Sequence, residues 1–188
     1  ISGVASKFAI ANEYDKMMSA MGAQGTNAWT SFEETVYTDD VPASSLDKYL
    51  AVQSERFRNP QLRIFHTELE AVYEEKNRTL DTDSRKVFET LFSTLFQNHN
   101  YGKQTTIGTV EHLKNPSLVE IRKYFNTYYV PNNMGVVMSG DFNPDETIAK
   151  IDRAFAYMQN KPVPKYTLQP EVPFSAPVVK EIVGPDAE

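Results

Sequence analysis

Two carboxylates seven residues apart, Glu68 and Glu75, are the pair whose spacing can do chemistry in this sequence. They fall within FHTELEAVYEEKNR, residues 65–78, a stretch of good helix formers with no Gly or Pro. At about 3.6 residues per turn the two carboxylates line up on one side, two turns apart, with Val72 between them. Thr67 and Glu70 fit a capping box, and Leu69, Val72 and Tyr73 a narrow apolar face. Carboxylates on the inward side of a helix are costly unless a cation or hydrogen-bond donors meet them, and a metal ion is one such partner. Glu70, Glu74 and Arg78 also recur at i,i+4, so spacing alone favours a solvated acidic face over a ligand helix. The three histidines, His66, His99 and His112, form neither HExxH nor HxxEH. Catalytic zinc usually takes three protein ligands, so any zinc site is incomplete within this chain. GxSxG, Walker, GxGxxG and CxxC patterns are absent, and with no cysteine there is no thiolate or disulfide chemistry.

The elements that must position these residues follow from local patterns. Val4, Phe8, Ala11, Tyr14, Met17, Met18 and Met21 predict a helix over about 2–21, ended by Gly22, with its methionines as core filling. Thr, Trp, Val and Tyr enrichment predicts strands at about 25–30 and 34–40 with a reversal at Ser31–Glu33. Ser44 or Ser45 starts a helix to about Phe57, stopped by Asn59-Pro60. A helix at about 84–97 carries Val87, Phe88, Leu91, Phe92, Leu95 and Phe96, a wide face expected in the core. Residues 98–108 read as a loop with His99 at its surface, followed by short helices at 109–113 and 117–128. Met134–Asp141 is nearly all apolar and reads as a central strand. Pro144 opens a helix to about Met158. Five prolines between Pro162 and Pro177 divide the chain into a domain over 1–160 and an extended linker over 161–188, which leads into Pro177–Val183 as the first strand of a following domain.

Composition narrows the class. In 188 residues, hydrophobic residues at 40% and aromatics at 12% suffice for a core, and the formal charge of −6 with no basic run longer than two residues argues against nucleic acid as a partner. The apolar runs are too short for a membrane span. The absence of cysteine fits the cytoplasm and the periplasm equally. Ile1 is not an initiator methionine and no signal-peptide pattern follows it, so the start reads as a cut within a longer protein.

The order of the segments resembles the insulinase/pitrilysin family of zinc metallopeptidases. The matching pieces are a glycine before Asn27-Ala28-x-Thr30-Ser31, then Thr35-x-Tyr37, and Glu68-x-x-x-Val72-x-x-Glu75-x-x-Arg78. Tyr101-Gly102, Gly108, Tyr129-x-Pro131-x-Asn133 and Gly140-Asp141 follow in the same order, so the match covers about residues 10–158. The resemblance implies an α+β fold, a mainly antiparallel sheet with helices on one face, lacking its first strands. It implies Glu75 as third zinc ligand and Glu68 as a supporting carboxylate. Asn27 and Ala28 would lie on the edge strand that pairs with an extended peptide or unfolded protein substrate. In the family an HxxEH helix gives two histidine ligands, and its glutamate acts as general base on the water that attacks the scissile carbonyl. That helix would precede Ile1, so the chain by itself is expected to be inactive, and a homologous second half or subunit is expected to close a chamber around the peptide. The competing expectation is a non-catalytic peptide-binding or scaffold subunit of the same fold.

Overall fold

The structure, a computed structural model, describes residues 12–62, 65–80 and 82–184, and two compact units. One gathers the described residues of Ile1–Trp29, Thr35–Arg63 and Ser117–Pro164; the other gathers those of Thr30–Glu34, Ile64–Pro116 and Lys165–Glu188.

The first unit holds α1 (Glu13–Ala20), the paired strands β1 (Gln24–Thr30) and β2 (Thr35–Asp40), α2 (Leu46–Arg58), α7 (Leu118–Tyr128) and α8 (Pro144–Ala154). The helix expected over 2–21 begins only at Glu13, because Asn12 before it is left-handed at φ 56°; residues 1–11 lie outside the described residues. Gly22 stops α1 at φ +82°, a conformation open to glycine, and an added Cβ there would crowd the Pro42 ring at 3.2 Å. The two strands are joined by four residues, a link short enough only for an antiparallel hairpin. Met18, Leu46, Leu50 and Val130 are the buried apolar residues. α2 packs on α8, where Ser54 Oγ donates to the Ala154 carbonyl at 2.6 Å and Lys150 pairs with Asp47 at 2.8 Å. A polar knot ties β2 to its neighbours: Asp39 accepts from Tyr14, Tyr49 and Gln53, while Tyr37 and Tyr129 share a hydroxyl bond of 2.7 Å. Desolvation first, and the Asp39 charge second, push the Tyr49 phenol up from its ordinary value.

Two expectations fail here. Met134–Asp141 forms no strand, and Val137 is 97% exposed, because no described segment pairs with it and a ladder needs a partner. α8 ends at Ala154 rather than Met158.

The second unit holds α3 (Phe65–Leu80), α4 (Asp83–Leu95), α5 (Asn100–Lys103) and α6 (Val110–Lys114), with residues 30–34 and the described tail. α4 packs on α3 and α5, and α6 packs on α3. The stretch read as a loop contains α5. Tyr101 N donates to His99 Nδ1 at 3.1 Å to cap it, and Gly102 lets it sit against the end of α4. The wide apolar face of α4 is not core: Val87 and Leu91 are each 50% exposed, since the helices described around it cover only part of its circumference. Phe92 is the better-covered member, stacked on Phe88 at 4.1 Å and close to Phe32 and Tyr101. Residues 159–184 carry no helix or strand. The tail is held nonetheless, since Glu171 accepts from the backbone N–H groups of Gln97, Asn98 and His99, with His99 N at 2.6 Å.

Candidate functional site

α3 runs over the predicted residues but begins at Phe65, so Thr67 lies inside its first turn and is not its N-cap. Its inward face is set by Leu69, Tyr73 and Lys76. Leu69 and Tyr73 are half-buried and Lys76 is 5% exposed. At about 100° per residue these three lie within roughly 60° of each other. Val72, expected among them, falls at the margin of that arc and is exposed.

Glu68, Val72 and Glu75 form a separate stripe about 100° round the helix, all three exposed. The carboxylates are therefore aligned as their spacing predicts, roughly 10 Å apart along the axis, but outside the packed face. Neither forms a hydrogen bond or ion pair among the described residues. Glu68 also sits in the first turn, where the helix N-terminus favours a negative charge.

Such an exposed, unpaired carboxylate is a fit oxygen donor for zinc. The described residues form no group of three His, Cys, Asp or Glu side chains able to hold a metal ion. His66 and His112 are exposed on α3 and α6. His99, expected as a surface loop residue, is half-buried among aromatic rings, 4.1 Å from Tyr101 and 5.5 Å from Tyr166. Its Nδ1 is occupied as an acceptor, a structural use of the imidazole.

Asn27 and Ala28 are adjacent in the middle of β1, every residue of which is exposed. Among the described residues β1 has β2 as its sole strand neighbour, so its other edge is unpaired. The Ala28 N–H donates to Asn27 Oδ1 at 2.8 Å. These two residues belong to the first unit, Glu68 and Glu75 to the second.

Sequence reasoning missed Lys76. Its Nζ lies 3.7 Å from Glu89 Oε1 on α4, which also takes Arg85 Nε at 2.7 Å. The signal was present, since Leu69, Tyr73 and Lys76 recur at i, i+4, i+7, the spacing of a buried helix stripe.

Residues 4–109 match the family model described as insulinase, peptidase family M16, and residues 117–187 match the peptidase M16 inactive domain. The zinc protease PqqE of Helicobacter pylori is 30% identical over 153 residues, covering 80% of this chain and 34% of that protein. The peroxisomal insulin-degrading enzyme-like 1 of Arabidopsis thaliana is 28% identical over 174 residues, covering 87% of this chain and 18% of that protein. The chain therefore spans about a third or less of the length of these curated relatives. Among solved structures, a protease from Helicobacter pylori superposes with a TM-score of 0.75 at 30% identity, covering 82% of this chain and 38% of that one. The first half of the periplasmic protease PqqL from Escherichia coli gives 0.72 at 21% identity, covering 85% and 36%, a likeness of fold.

Proposed function

The chain belongs to the insulinase family, peptidase family M16, and from that membership we propose that it is the part of a zinc endopeptidase that supplies a metal ligand and a substrate-pairing strand. Glu75 is the ligand and Glu68 the carboxylate that supports it. Asn27 and Ala28 belong to the edge with which a peptide or unfolded protein pairs in extended form, and a homologous second half or subunit closes the chamber. The observation that carries this reading is the stripe on α3: among the described residues two aligned carboxylates have no partner, although a lysine and an arginine follow Glu75 within three residues. An oxygen-binding cation gives two carboxylates in register on one open face a common use.

The chemistry zinc supplies to a peptidase is Lewis-acid activation of water and of the scissile carbonyl. Glu75 contributes a negative oxygen to hold the ion, and Glu68 orients that side of the site, a role whose loss typically costs about 10–100-fold in affinity or activity. The exposed edge of β1 binds main chain, which favours extended substrates over particular side chains.

The test is zinc content and peptide turnover of the whole protein carrying Glu75→Gln, Glu68→Gln or Glu74→Gln. Glu75→Gln is expected to lose zinc and turnover together, and Glu68→Gln to keep most zinc with turnover reduced. Glu74→Gln, about 100° round the helix from Glu75, is expected to change neither. Loss of zinc from Glu74→Gln but not from Glu75→Gln would shift the ligand by one residue. No effect from any of the three would leave the acidic stripe as a solvated face and favour a non-catalytic peptide-binding subunit.

A further inference from the structure

We propose that Lys76 is a positioning residue: its ion pair with Glu89 fixes the rotation of α3 about its axis, and with it the direction in which Glu68 and Glu75 face. The inference rests on the ligand role proposed above for Glu75.

A lysine almost fully removed from solvent is unfavourable unless a counter-charge meets it. Lys76 is buried on the face that α3 turns inward, beside Leu69 and Tyr73, and its ammonium reaches Glu89 on α4. Glu89 is in turn held by Arg85 one helical turn before it, through the same oxygen, Oε1. Leu69 and Tyr73 are only half-buried, so apolar packing alone fixes the angle of α3 weakly. A buried ammonium that must meet a counter-charge constrains the angle more sharply than apolar contact does. Buried polar groups that fix helix register are the best-attested use of such pairs.

The consequence for the stripe is geometric. Lys76 stands about 80° from Glu68 and 100° from Glu75 around α3. With Lys76 locked onto Glu89, the two carboxylates are carried away from α4 into solvent, where they have no partner among the described residues. Rotating α3 to bring Glu75 toward α4 would swing Lys76 off its partner. It would also place the Glu75 carboxylate beside that of Glu89, a like-charge pair. The device thus selects one face of α3 for the metal.

The experiment uses the whole zinc-loaded protein and its cobalt-substituted form, whose visible absorption reports the ligand set. Lys76→Met keeps the aliphatic stem and removes the ammonium. It is expected to weaken zinc binding, read by chelator competition, by about 10–100-fold, the range for groups that orient a ligand. The cobalt band should change in intensity, and kcat should fall with little change in KM. Lys76→Arg, which keeps a cation facing Glu89, should retain zinc affinity and the cobalt spectrum. Lys76→Met/Glu89→Gln removes both charges of the pair and serves where the single variant fails to fold; it should show the same zinc and cobalt defects in a folded protein. A purely structural role would lower the unfolding midpoint of these variants while leaving the cobalt spectrum and zinc affinity at wild-type values, and that result overturns the proposal. The Glu75→Gln protein separates the two levels: zinc lost there but unaffected by the Lys76 variants defeats the positioning role alone, whereas zinc retained there defeats the ligand reading and this inference together.

Discussion

The carboxylate of Glu171 sits against three consecutive backbone donors at Gln97, Asn98 and His99, and Asn98 Nδ2 donates to the neighbouring Pro170 carbonyl at 2.9 Å. Desolvation pushes its pKa up, but the three backbone N–H groups outweigh it and hold Glu171 below the ordinary carboxylate range. A group whose folded pKa is depressed stabilises above its unfolded pKa and loses that contribution as pH falls through the folded value. The tail should therefore stay attached above the ordinary glutamate value of about 4.3 and loosen only in more acid solution. Amide proton shifts of residues 97–99, followed by NMR against pH, should titrate with a midpoint below that value, and in Glu171→Gln they should be flat. A midpoint at or above the free value would mean the carboxylate is not bound there. Nothing in the sequence announces this contact, because its partners are some seventy residues away and a linker glutamate looks like any other. The alignment of Glu68 with Glu75, by contrast, is legible because a helix converts spacing directly into angle. Whether the stripe faces in or out is not, because that depends on where Lys76 finds Glu89.

Elements whose cause is local can be read from the amino-acid order: the hairpin, α2, α3, α7 and the start of α8, where Asn143 Oδ1 accepts from the Glu146 N–H at 3.2 Å behind Pro144 at N1. Elements that need a distant neighbour cannot. Met134–Asp141 has strand composition without a ladder, and the face of α4 has core composition without cover. α5 belongs to the same class, since it depends on close approach to the end of α4. A Cβ on Gly102 would run into the Phe96 carbonyl oxygen and lie 2.8 Å from that of Phe92, backbone atoms with little room to yield. Gly102→Ala should therefore destabilise by about 1–3 kcal/mol, the cost of forcing extra volume into a packed contact. Gly135→Ala is the control, for a Cβ there meets nothing within 4 Å, and its effect should stay within about 0.5 kcal/mol. Denaturant midpoints of the two variants give the comparison, and equal midpoints would mean the α4–α5 corner adjusts freely. β1 makes a different prediction at this scale. Its seven residues are all exposed, it has β2 as its sole strand neighbour among the described residues, and Trp29 on it is 49% exposed. Unpaired edges recruit strands, so the chain should self-associate as concentration rises, and Trp29→Lys, which sets a charge on the edge, should suppress it. Sedimentation velocity over a concentration series reads both; a wild-type chain that stays monomeric throughout would mean that this edge does not recruit.

At the scale of the whole molecule the question is what these 188 residues can do by themselves. They include a helix with two carboxylates on an open face and a strand with an open edge, each well suited to binding something, and the two lie in separate compact units. They do not include HxxEH, and the described residues assemble no three-ligand group. Catalytic zinc is usually held by three protein ligands, and a single carboxylate on a solvated helix holds a divalent ion weakly. The purified chain is therefore expected to bind zinc weakly. It should leave a long unstructured peptide intact, while still pairing with that peptide through β1. Two measurements separate these properties: peptide cleavage with and without chelator, followed by mass spectrometry, and amide exchange of β1 with and without peptide. Slower exchange on β1 without cleavage is the expected outcome, because recognition by main-chain pairing needs the strand alone whereas hydrolysis needs the complete ligand set. Cleavage that chelator abolishes would require a full zinc site within these residues, and Glu75 could then no longer be the single ligand that the chain contributes.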